Sequence, residues 1–486
     1  MIVMKFGGSS VASPSAMKRV AALVEAQIHR EPVVVVSALA DTTDQLASIL
    51  KHARAAESYL AWKLIKEVRE YHFLVAEELL GTKQLEPIDE HLRDTFRDLH
   101  VRMAEVCDGE RTITAAEVDR TLSIGEQLSS LILSAAFCQL GMPCHHLDAR
   151  KLILTDSQFT NATPRYWETY AKLRWTVHQA TRNSAVVLGG FIGATEQGET
   201  TTLGRGGSDL TATIVGAAIN AEEIQIWKDV DGILTADPRR QKDALLVKTL
   251  SYEEATELAR AGSKILHPET IAPAQRLRIP IVLRNTFHPR SEATRITCAS
   301  QTSGAKSIVC RSGLTLLEVS SARDNKSINE CLPALSDLLS SHASKVEPLG
   351  VTDRVLYLAM DPDACHDGLS TPLSSPIQVH LKTGQSLITL VGTGVTSSIP
   401  TLASFGALTL PFDEADLCLR FAVPDSRAEA CLRALHRILF SEPDPQIFAA
   451  CEPACVSRRD ELRIAQHNNR AARIHQALTL SGQLPI

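Results

Sequence analysis

IVMKFGGSSVASPSAMKRVAALVEAQIHREPVVVVSAL, residues 2–39, decides the fold class. An apolar run carrying Lys5 breaks at Gly7 and Gly8, and the segment after it repeats its apolar residues at helical spacing. Four consecutive valines then follow Pro32 and stop at Ser37, as expected of a strand covered on both faces. Strand, glycine turn, helix and buried strand in that order imply parallel strands joined by a crossover helix. The expectation is an α/β domain with a mostly parallel sheet.

The same texture continues outward. Residues 44–118 hold few glycines or prolines and keep helical periodicity, which makes them a helical excursion from the sheet. Short β-rich runs resume at SAVVLGGFIG (184–193), EEIQIWKDVDGIL (222–234) and IPIVLRNTF (279–287). Helical stretches, SDLTATIVGAAINA (208–221) and SYEEATELARAG (251–262), separate them, so the α/β block extends over about 1–290. Beyond it lie Ser/Thr-rich connectors and a second alternation of strand-like and helical segments. These are SIVCRSGLTLLEVSS (307–321), INECLPALSDLLSSH (328–342), RVLYLAM (354–360), SLITLVG (386–392), LCLRFAVP (417–424) and AEACLRALHRILF (428–440). Two βαβ-like units over 291–445 are expected, pairing with each other or with another subunit because neither buries its sheet alone. Residues 446–486 form a tail whose polar helical pattern carries no legible chemistry.

Bulk composition narrows the function classes. The chain has 486 residues, 44% hydrophobic and 22% charged, with net charge −6 and scattered lysines and arginines. That suits two or three globular domains and gives no electrostatic footprint for nucleic acid. No apolar run approaches the roughly 18 residues needed to span a bilayer, so no membrane partner is expected. Eleven cysteines without a secretory leader suggest reduced thiols and a cytoplasmic setting. No metal site is expected, because neither CEPAC (451–455) nor Cys144-His145-His146 has a second half at zinc spacing.

Candidate chemistry gathers at glycine-rich turns. Lys5, Gly7, Gly8 and Ser9 could cradle a phosphate, since backbone N–H groups and a lysine charge approach closely there; an ordinary solvated turn fits as well. TTTLGRGGSDLTA (200–212) sets Arg205 and Asp209 on a glycine loop that opens a helix, and a plain hinge is the competing reading. WKDVDGILTADPR (227–239) adds Lys228, Asp229, Asp231, Asp237 and Arg239, and AGSKILHPE adds Lys264. Taken singly, each of these is an ordinary charged surface residue.

Taken together they resemble the aspartokinases of the amino-acid kinase superfamily. The resemblance rests on KFGGSSV (5–11), VVVSAL with TTD (34–44), SIGEQLS (123–129), GGFIGATEQGETTTLGRGGSD (189–209), WKDVDGILTADPR (227–239) and GSKILHP (262–268), in the family's order. It implies a three-layer amino-acid kinase fold over 1–290, followed by tandem ACT-like α+β regulatory units over 291–445. It implies transfer of the γ-phosphoryl group of ATP, with Mg²⁺, to the side-chain carboxylate of L-aspartate. By the same resemblance, Lys5, Asp209 and Lys264 are catalytic, and Ser37, Thr43, Glu126, Arg205 and Ser208 hold the amino acid. Lys5, Gly7, Gly8, Ser9, Lys228, Asp229, Asp237, Arg239 and Lys264 contact the nucleotide. Asp209 is expected to orient lysines toward the phosphates.

The chemistry suits this inventory. A carboxylate with reference pKa near about 3.9 is already a nucleophile at neutral pH, so catalysis reduces to positioning and charge neutralisation. An arginine fork fits an α-carboxylate, and Glu126 could answer the α-ammonium. The resemblance also implies a homodimer through the ACT-like region and an amino-acid effector, lysine first and threonine second. One departure stands out: after the first regulatory strand, Ser327 occupies the place of the family's glycine in ARDNKSINECL. Two other readings compete, a different carboxylate kinase on this fold and a catalytically silent amino-acid sensor.

Overall fold

A computed structural model describes residues 1–181, 184–263, 265–298, 303–321, 346–361, 377–395, 405–411 and 417–450. Lys264, Ser327, the expected helix over 328–342 and the tail from 451 lie outside the described residues. The chain divides into two compact units, one formed by 1–232 and 269–298, the other by 233–268 and 299–451. Residues 233–268 thus group with the carboxy-terminal segment.

In the first unit, β1 (Ile2–Phe6) pairs in parallel with β2 (Pro32–Val36), which pairs in parallel with β4 (Ala185–Gly189). Beyond β4 lies β3 (Cys144–Leu147), and on the far side of β1 lies β7 (Ile224–Lys228), then Ile281–Asn285, all parallel. Thr294–Thr297 adds an antiparallel neighbour to Ile281–Asn285. Between β4 and β7 in sequence, β5 (Ile192–Ala194) and β6 (Thr200–Thr202) form a small antiparallel pair. Every residue of β1, β2 and β4 is buried, as expected where helices cover both faces of a parallel sheet. The Cys144-His145-His146 string is β3, the end strand of this ladder.

Local sequence explains the helices. Ser13 accepts a hydrogen bond from the Ala16 N–H at 3.2 Å and Pro14 occupies the first turn, so Pro14–Glu25 starts where the chain can least use an amide donor. The helical excursion holds Thr42–Arg54, Ser58–Cys107 and Ala115–Leu122. Gly81 breaks the long member with φ 67° and ψ 169°, a conformation that glycine alone adopts cheaply. The stretch 115–139, helices Ala115–Leu122 and Ile124–Gln139, does meet the length and composition of a membrane span, correcting the sequence expectation. Its apolar window is 72% buried against the rest of the protein, as in a core helix.

The second unit is organised on a six-stranded sheet in the order Val346–Val351, Val355–Met360, Ser307–Ser321, Ile377–Val391, Cys418–Pro424, Leu408–Thr409. Every neighbouring pair is antiparallel, and each long strand runs parallel to the strand that follows it in sequence with one strand between them, Ser307–Ser321 with Val346–Val351 and Ile377–Val391 with Leu408–Thr409. Strand and helix alternate in the sequence, and the two 15-residue strands Ser307–Ser321 and Ile377–Val391 pair along their length and set the antiparallel sense. Residues 233–268 are tied in by buried polar contacts. Glu254 caps its own helix through Ser251, takes an ion pair from Lys306 at 3.1 Å, and accepts from Thr393 N and Oγ1, both at 2.9 Å.

Candidate active site

The carboxyl ends of β1, β2, β4 and β7 meet in the first unit, the edge where parallel sheets bind ligands. Lys5 sits one residue before the end of β1, 6% exposed. Lys228 ends β7, and Asp209 lies in the first turn of the helix Gly207–Ile219. Asp209 joins the two lysines: Oδ1 is 2.6 Å from Lys5 Nζ, and Oδ2 is 3.0 Å from Lys228 Nζ.

Burial sets the charges of this trio. It opposes ionisation of Asp209, yet Lys228 and Lys5 outweigh it and hold the carboxyl down to about 2. The same burial, with Lys228 nearby, lowers Lys5 below the ordinary lysine range, while Asp209 works against the fall. An ionised carboxylate at neutral pH therefore fixes two ammonium groups side by side, an arrangement that mutual repulsion would otherwise scatter.

Glycines let the surrounding loops close in. A Cβ on Gly8 would lie 2.9 Å from the Ala40 carbonyl oxygen and 3.1 Å from that of Ala38, so the β1 and β2 loops touch backbone to backbone. Ser37 N donates to the Phe6 carbonyl at 3.1 Å, and Ala40 N donates to Gly8 at 3.2 Å. A Cβ on Gly190 would meet Ser208 Cβ at 2.7 Å, which seats Ser208 at the end of β4. Gly204 and Gly206 both take φ of 70°, so the turn carrying Arg205 requires glycine on each side. Arg205 itself is exposed and meets no partner among the described residues.

Glu126 enters from the first turn of Ile124–Gln139. Oε1 accepts from Ala38 N at 3.1 Å, while Oε2 is buried without a hydrogen-bond partner. Burial dominates and pushes its pKa up to about 8, against the pull of the Ala38 N–H and of Lys5. An incoming cation would supply what Oε2 lacks.

Lys5, Gly7, Gly8, Ser9, Ser37, Glu126, Ser208, Asp209 and Lys228 thus lie on the joined loops at this edge; Thr43 opens the helix after β2, and Asp229 follows β7. Asp237 and Arg239 belong to the second unit, where they pair with each other at 2.6 Å. Sequence reasoning did not single out Thr286, whose hydroxyl shares a hydrogen bond of 2.7 Å with that of Ser10, or Asn285, which donates to Asp231 at 2.8 Å. Their pairing joins segments far apart in the chain, and no local pattern signals it.

The model of the amino acid kinase family matches residues 1–285. Aspartokinase 1 of Arabidopsis thaliana, a chloroplastic protein, is 30% identical over 464 residues, covering 91% of this chain and 80% of that one. The aspartokinase of Chlamydia trachomatis is 36% identical over 299 residues, 62% of this chain and 64% of that one. Among solved structures, Escherichia coli aspartokinase III in complex with aspartate and ADP aligns with a TM-score of 0.76 at 28% identity, over 90% of this chain and all of that one. The same enzyme in complex with lysine and aspartate aligns with a TM-score of 0.73 at 27% identity, over 90% of this chain.

Proposed function

From the premise that this chain belongs to the amino acid kinase family, and within it to the aspartokinases, we infer how its own residues carry out aspartate phosphorylation. The enzyme is an ATP-dependent kinase that transfers the γ-phosphoryl group to the side-chain carboxylate of L-aspartate, giving 4-phospho-L-aspartate. The carrying observation is the Lys5–Asp209–Lys228 clamp at the carboxyl edge of the sheet.

The acceptor carboxylate needs no general base, so the barrier is the approach of one anion to another. Lys5 and Lys228, held by Asp209, place two positive charges where the transferred phosphoryl group passes, and Gly7, Gly8 and Ser9 line the turn beside them. Asp209 is engaged by both ammonium groups and is not a free metal ligand. Mg²⁺, brought in with the nucleotide, would add charge neutralisation beside Lys5 and Lys228. Arg205 grips the substrate α-carboxylate, Glu126 receives the α-ammonium, and Ser37, Thr43 and Ser208 complete the acceptor pocket. Asp229, Asp237, Arg239 and Lys264 keep their assignment to the nucleotide.

Residues 1–290 are assigned to catalysis and the 291–445 region to regulation, as tandem ACT-like units, with residues 446–486 left without a role. Lysine is the first candidate effector and threonine the second, a choice supported by the relative solved with lysine. Val351 and Leu381, 54% and 47% exposed on the second unit's sheet, support a homodimer formed through it. Cysteine usage supports a cytoplasmic enzyme.

Purified protein given ATP and Mg²⁺ is expected to form an acyl phosphate, trapped by hydroxylamine, only when L-aspartate is present; a hydroxamate formed with other carboxylates and not with aspartate would overturn the reading. Lysine added to the same assay is expected to slow it more than threonine does.

The Glu126 assignment makes a second prediction. Aspartate binding requires Glu126 ionised, and burial holds its pKa at about 8 in the free enzyme. The dissociation constant for aspartate, measured with ADP and without turnover, should fall about tenfold from pH 7 to pH 8.5. Glu126→Gln should bind weakly and show a flat profile over that range. A profile with the same slope in both proteins would remove Glu126 from this role.

A further inference from the structure

Asp119 takes no chemical part in the reading above, yet its environment is that of a residue held for a purpose. It is fully buried on the helix Ala115–Leu122 and has no cationic partner among the described residues. Its Oδ2 accepts from Thr160 N at 2.8 Å and Thr202 N at 3.0 Å, and its Oδ1 accepts from Thr202 Oγ1 at 2.6 Å. Three donors converge on one carboxylate from two segments distant in sequence. Leaving such a group buried without a counter-charge is costly unless its hydrogen bonds are complete.

The segments it joins are those that place the acceptor loop. Thr202 ends β6, and only Leu203 and Gly204 separate it from Arg205. Thr160 holds a left-handed φ of 72°, an unfavourable conformation for a branched residue, and the hydrogen bond to Asp119 fixes it. Next to it, Ala162 N donates to the Thr202 carbonyl at 2.9 Å, and Asn161 Oδ1 fills the space beside Gly204, 2.2 Å from where a Cβ would stand. The turn at Gly204 is thus packed against a loop that Asp119 itself pins. On its other side, the helix of Asp119 passes through Ser123 into the helix bearing Glu126.

We propose that Asp119 is a positioning residue for the acceptor amino acid, holding the Arg205 loop at a fixed distance from Glu126. It touches neither substrate; it sets the span between the group that meets the α-carboxylate and the group that meets the α-ammonium. The inference rests on the assignment of Arg205 and Glu126 to aspartate. Specificity for a four-carbon amino acid depends on that span, because both ends of the α-carbon must be gripped together.

The test is a set of steady-state measurements on the full chain. Asp119→Ala is expected to raise KM for aspartate at least tenfold while KM for ATP stays within about twofold, because the nucleotide side does not depend on β6. Asp119→Asn, which keeps a carbonyl oxygen for the two N–H donors, should recover most of the loss. Thr202→Val, which removes a single hydroxyl donor, should raise KM for aspartate about threefold to fivefold and covers the case in which Asp119→Ala does not fold. In a double-mutant cycle, adding Asp119→Ala to Arg205→Ala should change KM for aspartate by less than about twofold, since the loop it positions no longer carries a guanidinium. An equal rise in both KM values, or full additivity in the cycle, would reduce Asp119 to a structural residue. The underlying assignment fails separately: if Arg205→Ala alone leaves KM for aspartate unchanged, the acceptor pocket is misplaced, whatever Asp119 does.

Discussion

Lys5→Ala is expected to leave a folded protein whose kcat is lower by about a thousandfold. The lysine ammonium is buried beside Asp209 and is held at the end of β1, directly before the Gly7–Gly8 turn. No other described side chain stands ready to replace that charge, because Lys228 already occupies the second oxygen of Asp209. The loss should fall on kcat and on kcat/KM alike, since the charge is needed most as the phosphoryl group moves between two anions. Stability should change far less, for Asp209 keeps Lys228 as a counter-ion. Circular dichroism and melting of the variant, beside its turnover with saturating ATP and aspartate, decide the matter. A folded variant with native turnover would remove Lys5 from catalysis.

Asp209→Asn is expected to be damaging in a different way, lowering kcat about a hundredfold and stability by about 3 kcal/mol. The amide keeps the shape and loses the charge that balances two ammonium groups, so Lys5 and Lys228 are left to repel each other. The stability part has a pH signature. The folded-state pKa of Asp209 is depressed from 3.8 to about 2, so its ionised form stabilises the native protein above the unfolded value and ceases to as pH falls through the folded one. In urea titrations, the gap between wild type and variant should be constant from pH 7 to about pH 4 and narrow below that. A gap that does not change with pH would show that the carboxylate's charge is not what holds the clamp together.

How far the chain could be read beforehand depended on whether a feature is local. The parallel sheet followed from PVVVV (32–36) and the β-rich runs around it, because full burial leaves an unbroken apolar run in the sequence. The antiparallel sense of the second unit's sheet did not follow. Strand and helix alternate there much as they do in a parallel unit, and the sense is set by which long strands pair, Ser307–Ser321 with Ile377–Val391. The grouping of residues 233–268 with the carboxy-terminal segment was equally hidden, since it rests on contacts such as Lys306 with Glu254 and Ile308 N with the Thr235 carbonyl.

The candidate site divides along the same line. Residue types at glycine turns, Lys5 before Gly7 and Gly8 and Asp209 after Gly206 and Gly207, are legible because Gly8 and Gly207 leave no room for a Cβ, Gly206 takes a left-handed φ, and the motif order restricts the chemistry. The sequence alone therefore determined the fold class of the first unit, the family, and the inventory of charged groups. Only the tertiary structure decided that Asp209 bridges Lys5 and Lys228, that Glu126 carries an unsatisfied buried oxygen, and that Asp119 anchors the loop before Arg205. Those facts depend on distances between segments far apart in the chain and on the burial that sets their charge, and neither quantity is encoded in a local pattern.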